Sequence, residues 1–141
     1  PQESIVKKAF GMDVFGNLPN KPAGFDVMTA SLNHWGVDYQ GKRYDVSAAG
    51  FPGAPSPGFL MNELYKQSPA LLSYQSRPRM NHAVLCTGLK IQRYDGIPQI
   101  AGIVVRDPAP YKNNIQRKGR IEHRAKNLAS KTAAYWLIRV V

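Results

Sequence analysis

The clearest hydrophobic pattern in the sequence is a pair of apolar runs that flank a turn signal. The first run, residues 82–91, and the second, residues 97–105, are rich in aliphatic and β-branched side chains, which is typical of β-strands. Between them, Tyr94-Asp95-Gly96 contains an Asp-Gly pair, which favours a tight turn because glycine adopts a positive φ without a Cβ clash. The pattern therefore predicts an antiparallel β-hairpin.

A polar residue stands at each open end of this predicted hairpin. His82 lies about a dozen residues before the turn and Asp107 about a dozen residues after it, so antiparallel pairing predicts that they meet at the same end of the ladder. A carboxylate that faces an imidazole can hold it in one tautomer as a general base, although the same pair can be an ordinary surface contact. The symmetric placement around the turn, and the Asp107-Pro108 sequence that ends the second strand, favour a catalytic pair.

Elsewhere the spacing of apolar residues predicts a helical first half followed by an antiparallel sheet, which is an α+β fold. The predicted elements, in chain order, are a helix over residues 1–11, a helix capped by Asp26 and closed by Gly36, a small hairpin between Val37 and Val46, a loop from Gly50 to Gly58, a helix that starts at Ser56-Pro57 and ends before Pro69, a strand from Ala70 to Tyr74, a polar loop from Gln75 to Met80, the central hairpin, and a final strand from Ala134 to Val141.

Length and composition indicate a soluble single domain. The chain has 141 residues, which is enough to bury a hydrophobic core without disulfides. Its one cysteine, Cys86, excludes an intrachain disulfide and suits a reducing compartment. No apolar run approaches the length of a membrane span, and no signal peptide opens the chain. We therefore expect one domain over residues 1–141.

The formal net charge of +10 is concentrated in the last quarter of the chain, from Arg106 onward. Such a surface could bind an acidic protein, a nucleic acid or another anionic partner, or it could steer acidic substrates. However, residues 113–131 lack interleaved aromatic residues and any nucleic-acid-binding motif, so they are interpreted as a solvated loop and helix. Nucleic acid is accordingly not an expected partner.

The three histidines give no metal signature. His34, His82 and His123 are dispersed without the spacing of metal ligands, so neither a metal nor a cofactor is predicted. A structural or solvent-facing role is expected for His34 and His123.

Two short motifs resemble the second half of bacterial papain-like cysteine peptidases, a group that includes leader peptidases of bacteriocin exporters and effector proteases of plant pathogens. These motifs are residues 81–88, Asn-His-Ala-Val-Leu-Cys-Thr-Gly, and residues 104–108, Val-Val-Arg-Asp-Pro. The likeness extends to residues 2–11, 28–36 and 64–74. The resemblance implies a papain-like fold, a thiol-dependent hydrolase that cleaves peptide bonds, His82 as general base and Asp107 as the orienting carboxylate. It also implies that a secreted bacterial effector is one setting for the protein.

The resemblance implies a catalytic cysteine at the start of a central helix, and that helix is absent from this sequence. Cys86 does not replace it, because four residues along a strand separate it from His82 by roughly 13 Å. We interpret Cys86 as a buried core thiol. The expected partner is therefore an N-terminal fragment or a second chain that carries the cysteine, in a heterodimer with this one. The other explanation is a derivative that has lost catalysis.

Two alternatives to peptide hydrolysis follow from the sequence. The chain could be an inactive papain-like binding module that holds a protein or an anionic partner in its cleft or on the basic surface from Arg117 to Lys126. It could also support another acyl transfer on the same fold, such as amide exchange or deamidation, which needs the same missing thiol.

Overall fold

The computed structural model describes residues 7–19, 23–34, 37–40, 42–77, 80–108 and 118–140. The chain is divided into two compact units, one formed by Pro1–Ala49 with Ile138–Val141 and the other by Gly50–Leu137. The second unit contains the central hairpin. Whether residues 1–141 fold as a single domain stays a prediction.

The described residues form helices and an extensive antiparallel sheet, which confirms the α+β class. The helices are α1 (Phe25–Leu32), α2 (Pro57–Tyr65) and α3 (Lys126–Lys131), and the strands are β1 (Val37–Tyr39), β2 (Lys42–Tyr44), β3 (Val46–Pro52), β4 (Ala70–Arg77), β5 (Met80–Tyr94), β6 (Ile97–Arg106), β7 (Arg120–Arg124) and β8 (Thr132–Val140). Residues 7–10 are also helical. Strands β1 and β2 form a two-stranded sheet, and the order of the six-stranded sheet is β3-β8-β4-β5-β6-β7.

The central hairpin is confirmed, and its turn has the conformation that the Asp-Gly pair predicts. Tyr94 pairs with Ile97, so the loop contains two residues. Both have a positive φ, 50° at Asp95 and 79° at Gly96, as a type I′ turn requires. The right-handed twist of that turn matches the twist of the flanking strands, and β6 pairs with β5 from one of its ends to the other.

The hydrophobic core of the second unit lies on one face of the sheet. Alternate residues of three neighbouring strands point into it, and Leu60 of α2 and Leu128 of α3 cover them. The buried strand residues of this cluster are Ala70, Leu72, Tyr74, Val84, Cys86, Ile103 and Val105. Burial of one complete face fixes the register of β4, β5 and β6, because a slip by one residue would expose every one of these side chains.

The capping prediction is confirmed for α2 and wrong for α1. The Oγ of Ser56 accepts a hydrogen bond from the backbone N–H of Phe59 at 3.2 Å, and Pro57 occupies the first turn. In contrast, α1 begins at Phe25, and Gly24 is its N-cap without a side-chain hydrogen bond. Asp26 therefore lies inside the first turn, where its negative charge interacts favourably with the helix dipole but its side chain does not act as the N-cap.

Two further boundaries differ from the sequence prediction because strand pairing overrides local composition. Strand β3 extends into the predicted loop from Gly50 to Gly58, where Phe51 stacks on Tyr135 of β8 with ring centroids 5.0 Å apart. Of the predicted polar loop from Gln75 to Met80, residues 75–77 and 80 are strand, and residues 78–79 lie outside the described part of the chain. The small hairpin between Val37 and Val46 is confirmed as β1 and β2.

The basic segment also contains an element that the sequence analysis missed. Residues 120–124 form strand β7, which pairs with β6, and only residues 126–131 of the predicted loop and helix are helical. Residues 113–117 lie outside the described part of the chain. The first half of the chain, which was predicted to be helical, holds α1, α2 and residues 7–10 but also β1, β2 and β3.

Candidate active site

His82 and Asp107 meet at the open end of the central hairpin, as their spacing predicts. His82 lies near the start of β5, and Asp107 is the first residue after β6. The Nε2 atom of His82 and the Oδ2 atom of Asp107 are 3.0 Å apart. The catalytic role of this pair stays a prediction.

The two side chains meet diagonally rather than face to face. Leu85 pairs with Arg106, so the same register continued by one residue sets Val84, and not His82, opposite Asp107. Diagonal neighbours on one sheet face lie within reach of long side chains. The ladder has one irregularity near Lys90 and another near Cys86, and they offset each other. The register at the open end of the hairpin is therefore the same as the register next to the turn.

The two partners differ in burial, and the carboxylate is more buried than the imidazole. The side chain of Asp107 is 5% exposed, whereas that of His82 is 25% exposed. A carboxylate is only a hydrogen-bond acceptor, so Nε2–H of His82 donates to Asp107. This contact favours the tautomer that leaves Nδ1 as the basic nitrogen. The carboxylate that orients the imidazole is thus the more deeply buried partner.

An aromatic and a second imidazole lie next to the pair. Tyr74 of β4 is the cross-strand neighbour of His82, and its ring contacts the ring of His123 of β7 in a tilted arrangement with centroids 4.7 Å apart. Burial lowers the pKa of His123, the charge of Lys131 lowers it further, and Asp107 opposes both. His123 is therefore neutral at pH 7. The sequence analysis left His123 without a specific role, because the alternation of residues 121, 123 and 125 is informative only once β7 is recognised as a strand.

Tyr74 also carries a buried hydroxyl that has no hydrogen-bond partner among the described residues. Because an unsatisfied buried hydroxyl costs about 1–3 kcal/mol, we expect Tyr74→Phe to raise the free energy of unfolding by about 1 kcal/mol. Chemical denaturation of both proteins measures the difference. Tyr65→Phe, at an exposed tyrosine, is the matched control and should leave stability unchanged. A clear loss of stability in Tyr74→Phe would show that the hydroxyl is satisfied in solution.

Cys86 is a buried core thiol, as predicted. It is fully buried on β5, its Sγ lies 3.8 Å from the carbonyl oxygen of Gly88, and burial raises the pKa of the thiol to about 11. Its position four residues along β5 from His82 corresponds to roughly 13 Å. Cys86 is thus neither close enough to His82 nor acidic enough to serve as its nucleophile.

The burial of Cys86 predicts slow alkylation. A pKa of about 11, against an ordinary value of 9.0, lowers the thiolate fraction at pH 8. We therefore expect iodoacetamide to modify the folded chain at least about 100-fold more slowly than the chain in denaturant, since the thiolate is the reactive form. Mass spectrometry of timed samples gives both rates. Equal rates would mean that the strand opens readily around Cys86.

Two clusters of other charged groups lie at the surface. Glu122 bonds Lys90 and Arg120, and these two cations lower the pKa of its carboxyl. His34 lies 3.7 Å from Asp45, and its side chain is 86% exposed. Within the described ranges no group of three or more His, Cys, Asp or Glu side chains is arranged to hold a metal ion. None of the described helices has the length and hydrophobicity needed to cross a membrane.

Comparisons with protein-family models, with curated proteins and with solved structures found no match. The resemblance to papain-like peptidases therefore rests on the sequence motifs alone, and the geometry of the site has to be argued on its own terms.

Proposed function

We propose that this chain supplies the general base and its orienting carboxylate for thiol-dependent cleavage of peptide bonds. His82 is the base and Asp107 orients it. The nucleophilic cysteine is provided by a segment outside these residues, either an N-terminal part of the same protein or a second chain. The fold of the combined protein is papain-like in this proposal.

The observation that carries the proposal is the 3.0 Å contact between an imidazole that is 25% exposed and a buried carboxylate. Surface His–Asp contacts normally leave both groups in solvent, as His34 and Asp45 do in this chain. Burial of only the carboxylate holds the imidazole from behind while one edge stays accessible to a reacting group. This is the arrangement that a general base requires.

The nucleophile has to come from elsewhere because the sequence has a single cysteine. Cys86 is fully buried, its pKa is about 11, and it lies on the same strand as the base at a distance that excludes direct proton transfer. A cysteine on another segment that lies next to His82 is limited neither by the burial of Cys86 nor by its distance from the base.

The proposed reaction begins with transfer of the thiol proton to Nδ1 of His82, while Nε2–H remains bonded to Asp107. The thiolate attacks the carbonyl carbon of the peptide, and the resulting intermediate expels the amine, which takes the proton from Nδ1. Water then loses a proton to Nδ1 and attacks the thioester. The acid leaves, and the proton returns to the thiolate.

Intact mass spectrometry of material purified from its native source, under native and denaturing conditions, tests the proposal. We expect either a longer chain or a bound second polypeptide, with one cysteine that a thiol-directed inhibitor labels rapidly. Labelling should stop when His82 is replaced by Ala and should persist in His34→Ala. A folded chain that occurs alone, with Cys86 as its only cysteine and no peptide hydrolysis, would contradict the proposal.

Salt dependence separates the peptidase from the binding module. Binding of a protein or anionic partner that collapses with ionic strength and survives His82→Ala would indicate that the basic surface, and not the His82–Asp107 pair, carries the function.

A further inference from the structure

The turn at residues 118–119 approaches the backbone of Asp107 unusually closely. The N–H of Asp107 donates a hydrogen bond to the carbonyl oxygen of Gly119 at 2.9 Å. This bond extends the ladder of β6 and β7 beyond its last pair, Arg106 with Arg120. Nη1 of Arg106 also donates to the carbonyl oxygen of Lys118 at 3.4 Å. Asp107 and its neighbour Arg106 are therefore each tied to this turn by one hydrogen bond.

Only glycine permits that approach. Gly119 is buried and has a φ of +71°, a conformation that disfavours residues with a side chain. A Cβ atom built at this position would lie 2.1 Å from the carbonyl oxygen of Asp107 and 3.3 Å from its nitrogen. The obstacle is backbone rather than a flexible side chain, so the two segments would have to separate.

We propose that Gly119 is a positioning residue for the His82–Asp107 pair. By allowing the turn to pack against Asp107, it holds the carboxylate at hydrogen-bond distance from Nε2 and thereby selects the tautomer of His82. This inference rests on the proposed function for its catalytic meaning. The geometric effect itself is measurable in the chain alone, without a nucleophile.

The chain offers a matched control for the strain of a left-handed residue. Gly96, in the turn of the central hairpin, has a φ of +79° and would have no atom within 4 Å of an added Cβ. Gly119→Ala and Gly96→Ala therefore share the backbone strain, and only Gly119→Ala creates the clash with Asp107. A difference in the His82 tautomer ratio between the two variants therefore measures the effect of the clash.

Heteronuclear NMR of the His82 ring nitrogens, at a pH where the imidazole is neutral, reads the tautomer directly. We expect the wild type and Gly96→Ala to carry the proton on Nε2. In Gly119→Ala the ratio of the two tautomers should fall at least about tenfold, because the charge-assisted hydrogen bond that favours Nε2–H is weakened. In an Asp107→Asn background, Gly119→Ala should cause no further change.

An unchanged tautomer ratio in folded Gly119→Ala would overturn the inference. If that variant does not fold, Arg106→Gln decides, because it removes the exposed guanidinium that bonds Lys118 and leaves the strand pairing of Arg106 in place. It should shift the tautomer ratio in the same direction by a smaller amount, and no shift would overturn the inference. The NMR measurement does not depend on peptidase activity, so the two proposals can fail separately. If only the proposed function is wrong, the tautomer ratio of His82 will still respond to Gly119→Ala, but the protein will cleave no peptide.

Discussion

Replacement of His82 by Ala should abolish peptide hydrolysis by the complete enzyme and leave the domain folded. We expect a fall in kcat of roughly 10³-fold or more, since a general base that activates a nucleophile and protonates the leaving group acts in both half-reactions. The structure allows the change because the His82 side chain is partly exposed and lies at the rim of the core. Steady-state kinetics and circular dichroism measure activity and folding on the same samples.

The control for this prediction is His34→Ala, which removes the other His–Asp contact of the described residues. That contact is longer, 3.7 Å, and both groups are largely exposed. We therefore expect activity to be unchanged and the free energy of unfolding to change by no more than about 0.5 kcal/mol, as for other surface substitutions. Full activity in His82→Ala would refute the assignment of the base. Loss of the folded state in His82→Ala would assign the residue a structural role instead.

The meeting of His82 and Asp107 was predictable because a two-residue hairpin turn determines the register of everything that follows. Tyr94 and Ile97 close the turn, and counting outward from them brings the two polar residues to the same end of the ladder. The count does not depend on the irregularities near Lys90 and Cys86, because they cancel. What the count could not supply is the diagonal geometry, which depends on where β6 ends.

The surroundings of the pair were not predictable, because they come from residues that are distant in sequence. The contact between Tyr74 and His123 joins β4 to β7, which are separated in the sheet by β5 and β6. Strand β7 itself carries charged residues and was interpreted as part of a solvated segment. Its pairing with β6 supplies the backbone hydrogen bonds that its composition does not favour. The role of Gly119 likewise appears only when the turn is placed against Asp107.

The helix signals show the same division between local and distant causes. Ser56-Pro57 predicted the start of α2 correctly because a cap and a first-turn proline act within one turn of the chain. Asp26 was wrong as a cap because α1 begins one residue before it, at Phe25, with Gly24 in the N-cap position. The end of β3, Gly50 to Pro52, was interpreted as part of a loop because glycine and proline are unfavourable in a strand, yet the neighbouring strand β8 accommodates it.

Asp107→Asn should impair the enzyme less than His82→Ala, because the base remains while its orientation and the stabilisation of its charged form are lost. We expect kcat to fall by roughly 10²-fold, with little change in KM. Asparagine has nearly the same volume and can still accept a hydrogen bond from Nε2–H, but its amide can equally present a donor and so no longer enforces one tautomer. Asp45→Asn, in the exposed contact with His34, is the matched control and should leave kcat and KM unchanged.

A double-mutant cycle distinguishes this role from a general effect on the site. If Asp107 acts only through His82, Asp107→Asn should cause no further loss of residual activity in the His82→Ala background, because a positioning group has nothing left to position. Additive losses would mean that the Asp107 carboxylate contributes independently of His82. Full activity in the single variant Asp107→Asn would remove the carboxylate from the mechanism altogether and leave His82 to act alone.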